Sequence, residues 1–163
     1  MKTLKRTSII TLLISFSLFT QACGGSFAGQ LRVILAASGP LISSLPLSPS
    51  IKSGLIVDFS DLANGAATLK QDIDACPDKS CKLNAVEKFE GLFETVESRG
   101  HFGSHQRLQQ VESILRAIIQ SAKIYYGGSS GAGVKRGAQV PESAATEQTL
   151  KARIDELKKA MEP

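Results

Sequence analysis

From Leu55 to Cys76 an apolar residue returns at alternating steps of four and three: Leu55, Phe59, Leu62, Ala66, Leu69, Ile73, Cys76. A half-buried strand would alternate every second residue. A period near 3.5 instead lays one apolar seam along a helix and requires a second helix to cover it. Ser48-Pro49 opens the run as N-cap and first-turn proline, and Pro77 stops it. Asp58, Asp61, Lys70 and Asp72 fall off the seam. The pattern then recurs twice. Leu83, Val86, Phe89, Phe93 and Val96 form one stripe, with Glu87, Lys88, Glu90, Glu94 and Glu97 facing out. Leu108, Val111, Leu115, Ile118, Ala122 and Tyr125 form the next, after the turn Arg99-Gly100-His101-Phe102-Gly103. Gly100 suits the left-handed position that closes a helix, and Ser104 is the expected N-cap of the helix that follows.

Phe27, Leu31, Ile34, Leu41 and Leu45 keep one face, but Gly39-Pro40 interrupts them, which predicts a kink or two short helices. Residues 127–141 are a Gly/Ser-rich linker, too poor in apolar surface to order themselves. A last helix is expected over Glu142–Met161, with Leu150, Ile154, Leu157 and Met161 on one narrow face. The chain has no Trp, and helix formers dominate it. The expected fold is all-α: an antiparallel bundle of four to five helices over 23–126, its first helix kinked, with a tethered C-terminal helix over 142–163.

The first 22 residues belong to a different physics. Lys2, Lys5 and Arg6 precede the uncharged, mostly apolar run Ser8–Phe19, and small residues follow. This is the three-part layout of a secretory signal peptide. The apolar run spans roughly 20 Å as a helix, short of the about 30 Å of a bilayer core. Thr20-Gln21-Ala22-Cys23 at its exit resembles the signal of bacterial lipoproteins. That resemblance covers residues 1–25 only. It implies cleavage before Cys23, lipid on that cysteine, and a membrane partner reached through the lipid. Gly24 stands where such lipoproteins carry Asp when retained at the inner membrane, so the resemblance implies sorting to the outer membrane. Thr20 and Ala22 also satisfy the small-x-small rule of ordinary signal-peptidase cleavage, which stays open as the alternative.

With Cys23 lipidated, Cys76 and Cys81 remain as a pair around Pro77-Asp78-Lys79-Ser80, in a compartment where disulfides persist. A Pro-Asp turn can bring them to bridging distance. So short a loop contributes only about 2 kcal/mol, and a staple at a helix corner is expected. Redox motifs carry two intervening residues, not four.

About 140 residues remain after processing, enough for one domain. The formal charge of +4 loses three with the signal. Near-neutral charge and export together argue against nucleic acid as a partner. His101 and His105 are four apart but sit in a glycine-bearing turn without a third ligand, so no metal is expected. Residues 128–137 lack the strand, the Gly-Lys-Ser/Thr ending and the following helix of a phosphate loop. The Gly-x-Ser-x-Gly string at residues 127–131 follows a helical stripe and opens the linker, without the strand before it and the helix after it of a nucleophile elbow, and no cofactor or catalytic residue is implied. Glu87, Glu90, Glu94 and Glu97 are read as a solvated face. The expected role is that of a non-catalytic, lipid-anchored structural or adaptor protein at the periplasmic side of a membrane, with the C-terminal helix available to a protein partner. The alternative is a small membrane-active lipoprotein of lysis or exclusion type, inserting 27–47 at the lipid surface.

Overall fold

Ser26 begins the first helix by accepting from the Gly29 N–H on its hydroxyl. The computed structural model describes residues 26–127 and 147–163. The signal region, Cys23, the linker beyond Gly127 and residues 142–146 of the last expected helix lie outside them. Among the described residues there is no strand, and the fold is an all-α bundle. Its helices are α1 (Phe27–Ala36), α2 (Gly39–Ser44), α3 (Pro49–Ala75), α4 (Lys79–Glu97), α5 (Gln106–Gly127) and α6 (Glu147–Met161). A 3-10 turn, Phe102–Ser104, precedes α5.

Gly39-Pro40 resolves the kink as two separate helices, with proline in the first turn of α2. Ser48 caps α3 through its hydroxyl, as expected, accepting from Ile51. Asp78 does the same for α4, accepting from Cys81 at 2.8 Å. Between them Cys76 and Cys81 are disulfide-bonded, with Cα atoms 5.5 Å apart. The staple therefore sits at the α3–α4 corner. Gly100 is left-handed, φ 77°.

Each long helix packs against the next: α1 on α3, α3 on α4, α4 on α5, α5 on α6, and α6 back onto α1. Cross-helix partners fix the directions. Gly29 lies beside Lys70. Lys88 pairs with Asp72 at 3.5 Å, and Glu90 takes Lys123 at 2.7 Å. Arg107 near the start of α5 meets the Glu162 carbonyl just beyond the end of α6. Successive neighbours are thus antiparallel. Five long helices in a ring leave one parallel contact, and it falls between α6 and α1.

The seam predicted in α3 is the core: Leu55, Phe59, Leu62, Ala66, Leu69 and Ile73 are buried. In α1 the deepest residues are Ala28, Leu31 and Leu35, while Phe27 and Ile34 are only partly buried. The face rotates from the expected one because α1 must cover α3 on one side and α6 on the other. Leu41, Ile42 and Leu45 add to the burial of this segment, so most of the apolar side of 27–47 is spent on the bundle, while Phe27 stays partly exposed. No described helix is long and apolar enough to cross a membrane. The apolar face of α6 docks rather than hanging free: Leu150, Ile154, Leu157 and Met161 are all buried.

On α4 and α5 the expected solvated acids do more than face water. Glu97 pairs with Arg116, and Glu112 sits in the same cluster. Burial pushes the Glu112 carboxyl above its ordinary range, and Glu97 adds to the push against an opposing Arg116. A carboxyl raised in the folded state supports folding while protonated. That support is present below its unfolded value, about 4.3, and is lost as pH rises through the folded one. Glu112→Gln is therefore expected to raise the melting temperature near neutral pH by roughly 2 °C, the exposure of the cluster keeping the effect small. Below about pH 4 the difference should vanish. Calorimetry at both pH values checks it; a lower melting temperature near neutrality would mean that the Arg116 contact outweighs the repulsion.

Candidate functional site

Only two polar residues are buried among those described, Ser38 and Asp58, and Asp58 is fully buried. It sits in α3 three residues after Leu55 and four before Leu62, a spacing that turns it toward the core. An isolated carboxylate there would be strongly disfavoured. Two side chains from beyond α4 engage it. The Arg99 Nη1 donates to Asp58 Oδ1 at 2.9 Å and to Asp61 Oδ2 at 2.8 Å. The His101 Nδ1 meets Asp58 Oδ2 at 2.7 Å. Hydrogen bonds to Asp61 and then Asp58 push the Arg99 guanidinium above its already high ordinary value, so it remains charged.

Three local features deliver these partners. Gly100 lets the chain reverse after α4. Phe102, buried against Phe59 with ring centroids 5.4 Å apart, pins the 3-10 turn to α3. Gly54 opens room for the imidazole: a Cβ there would lie 2.5 Å from His101 ring atoms. The cluster is thus a polar lock between α3 and the α4–α5 corner. Both Asp58 oxygens are engaged inward, so it offers solvent no acceptor from that carboxylate.

The structure gives both histidines structural roles and revises the start of α5. The Ser104 hydroxyl donates to the His101 carbonyl, and the N-cap role expected of Ser104 passes to His105. Its carbonyl accepts from Leu108 and Gln109, and its Nδ1 accepts from the Arg107 N–H at 3.1 Å. Burial of Phe102 winds residues 102–104 into the 3-10 turn, and this moves the helix start one residue on. His101 and His105 therefore serve different structural ends rather than one ligand face. Among the described residues no group of three or more His, Cys, Asp or Glu is placed to hold a metal.

A cleft between α3 and α4, lined by Gly65, Leu69, Phe89 and Leu92, holds about 170 Å³. Ligand pockets usually enclose roughly 300–1,000 Å³, so this one is small for a metabolite. Comparison with known protein families, curated proteins and solved structures finds no match for this chain.

Proposed function

We propose that this chain is a lipid-anchored, non-catalytic structural or adaptor protein at the periplasmic face of a membrane, held through Cys23 and sorted to the outer membrane. The observation that carries this reading is the Thr20-Gln21-Ala22-Cys23 exit of the signal, followed within three residues by the Ser26 cap of α1. An anchor at Cys23 would hold the folded body against the lipid with almost no slack. The non-catalytic part rests on the Asp58 cluster, whose charges are spent on one another. A protein partner is placed on the exposed side of α6, where Lys151, Arg153, Asp155, Glu156, Lys158 and Lys159 lie, since its apolar side is used inside the bundle.

Cys23→Ser tests the anchor. We expect loss of the acyl mass from the mature N-terminus and transfer of the protein from the membrane to the soluble fraction. Unchanged membrane partitioning would remove the anchor from this reading. Reversing charges on the exposed side of α6, rather than deleting the helix, tests the partner without opening the core.

A further inference from the structure

We propose that the end of the bundle carrying Phe27, Ile124, Tyr125 and Tyr126 is a bilayer-contact surface that seats in the phospholipid headgroup layer. The inference rests on the lipid-anchor reading and adds which end of the molecule faces the membrane and how it is held.

Five helix ends meet there, the start of α6 among them, with Glu147 near Tyr126. Gly29 in the first turn of α1 lies 3.5 Å, measured from an added Cβ, from the Lys70 side chain near the end of α3. Gly127 at the end of α5 lies similarly close to Leu83 near the start of α4. The Phe27 and Tyr126 rings are 6.3 Å apart, and Tyr125 stands edge-on to Tyr126 at 4.9 Å. The chain between Cys23 and Ser26 spans at most about 11 Å when fully extended. A lipid on Cys23 therefore brings this end, and no other, to the surface of the bilayer. The opposite end lies roughly 40 Å away, the length of α3.

The chemistry at this end suits the headgroup layer. Tyrosine has an apolar body and a polar tip, and aromatic residues collect at membrane–water interfaces for that reason. Ile124, in the last turn of α5, is 55% exposed, a cost in water that partition into the interface would remove. Burial, with Tyr125, Glu147 and Asp74 nearby, pushes the Tyr126 phenol upward, so it stays uncharged. Charge does not select the surface. Lys70 is paired with Asp74, Asp78 lies next to Lys79 in sequence, and Glu147 stands near Tyr126. Apolar partition rather than attraction to anionic lipid is the driving term, and the contact should be insensitive to salt.

The chain contains no Trp, so a single introduced indole reports its own surroundings. Ile124→Trp and, as a far-end control on another exposed isoleucine, Ile56→Trp would be made in the full lipidated protein. Tyr126→Trp serves as a second probe of the same end. Each is reconstituted into phosphatidylethanolamine–phosphatidylglycerol vesicles carrying chains brominated near the headgroup, and the acyl mass at Cys23 is verified. We expect Ile124→Trp and Tyr126→Trp to shift to the blue and lose emission to the bromolipid at low and high salt alike, while Ile56→Trp does neither. With the acyl chain present, quenching at neither end, or equally at both, overturns the contact surface and leaves the anchor standing. Quenching at this end that high salt abolishes overturns the apolar mode. Absence of the acyl mass sinks the anchor itself, and the contact surface goes with it.

Discussion

His101→Ala is expected to destabilise the protein by about 3 kcal/mol, because it leaves a buried carboxylate oxygen without its partner. In a chain of this size that lowers the melting temperature by roughly 10 °C. The loss of imidazole packing alone would be smaller, since the ring is partly exposed. The discriminating experiment is a double-mutant cycle. Asp58→Leu removes the buried charge, and in the His101→Ala background it also fills the vacated space. The double variant should recover most of the stability lost by His101→Ala, because the remaining Arg99 can turn to water and keep Asp61. Replacing a buried ionic group with an apolar one is often neutral or stabilising, whereas orphaning one partner is costly. Gly54→Ala belongs to the same experiment. It should mimic His101→Ala, since the new methyl drives the ring off Asp58, and it too should be relieved by Asp58→Leu. Denaturant unfolding of wild type and the five variants decides the matter. If His101→Ala is as stable as wild type, Asp58 is not held by these contacts and the lock between α3 and the α4–α5 corner has been misread.

The parts of this arrangement differ in how far local pattern could reveal them. The stripe from Leu55 to Ile73 marks a helix and its buried side because both follow from a period of three to four residues, and burial obeys it. Ser48 and Gly100 are equally legible, each acting on backbone a few residues away. Asp58 falls off the seam with the other polar residues, yet it is fully buried. Its spacing from Leu55 and Leu62 was a usable signal, and Gly54 one turn earlier was a second. What no local pattern holds is the compensation: Arg99 and His101 arrive from 41 and 43 residues downstream. Ser104 shows the opposite failure. Its intrinsic preference for the N-cap was real, but a tertiary contact, Phe102 in the core, moved the helix start to His105. For α6 the narrow apolar face is plain, while its seat is not, because the groove that receives it is built by α1 and α5, which lie far apart in the chain.

That seat sets the second large effect. Leu157 in α6 is completely buried, and Leu157→Asp would place an unpaired carboxylate there at a cost that exceeds any gain from docking. With the helix expelled, Leu150, Ile154 and Met161 lose their cover too. Burying each such side chain contributes roughly 1.5–3 kcal/mol, so the four together match a large part of the about 5–15 kcal/mol by which a domain is stable. The consequence should not stop at α6. The helix closes the ring between α5 and α1, and α1 has only ten residues with which to hold itself on α3. We therefore expect Leu157→Asp to abolish a single cooperative unfolding transition, to bind a hydrophobic dye, and to open α1 as well as α6 to protease. Leu157→Ala, which keeps the site apolar, should cost about 2–5 kcal/mol and remain cooperative. Were Leu157→Asp to unfold with wild-type cooperativity and stability, α6 would be an appendage rather than the closing member of the bundle. Its apolar face would then be free for a partner, and the placement of that partner on the charged side would have to be given up.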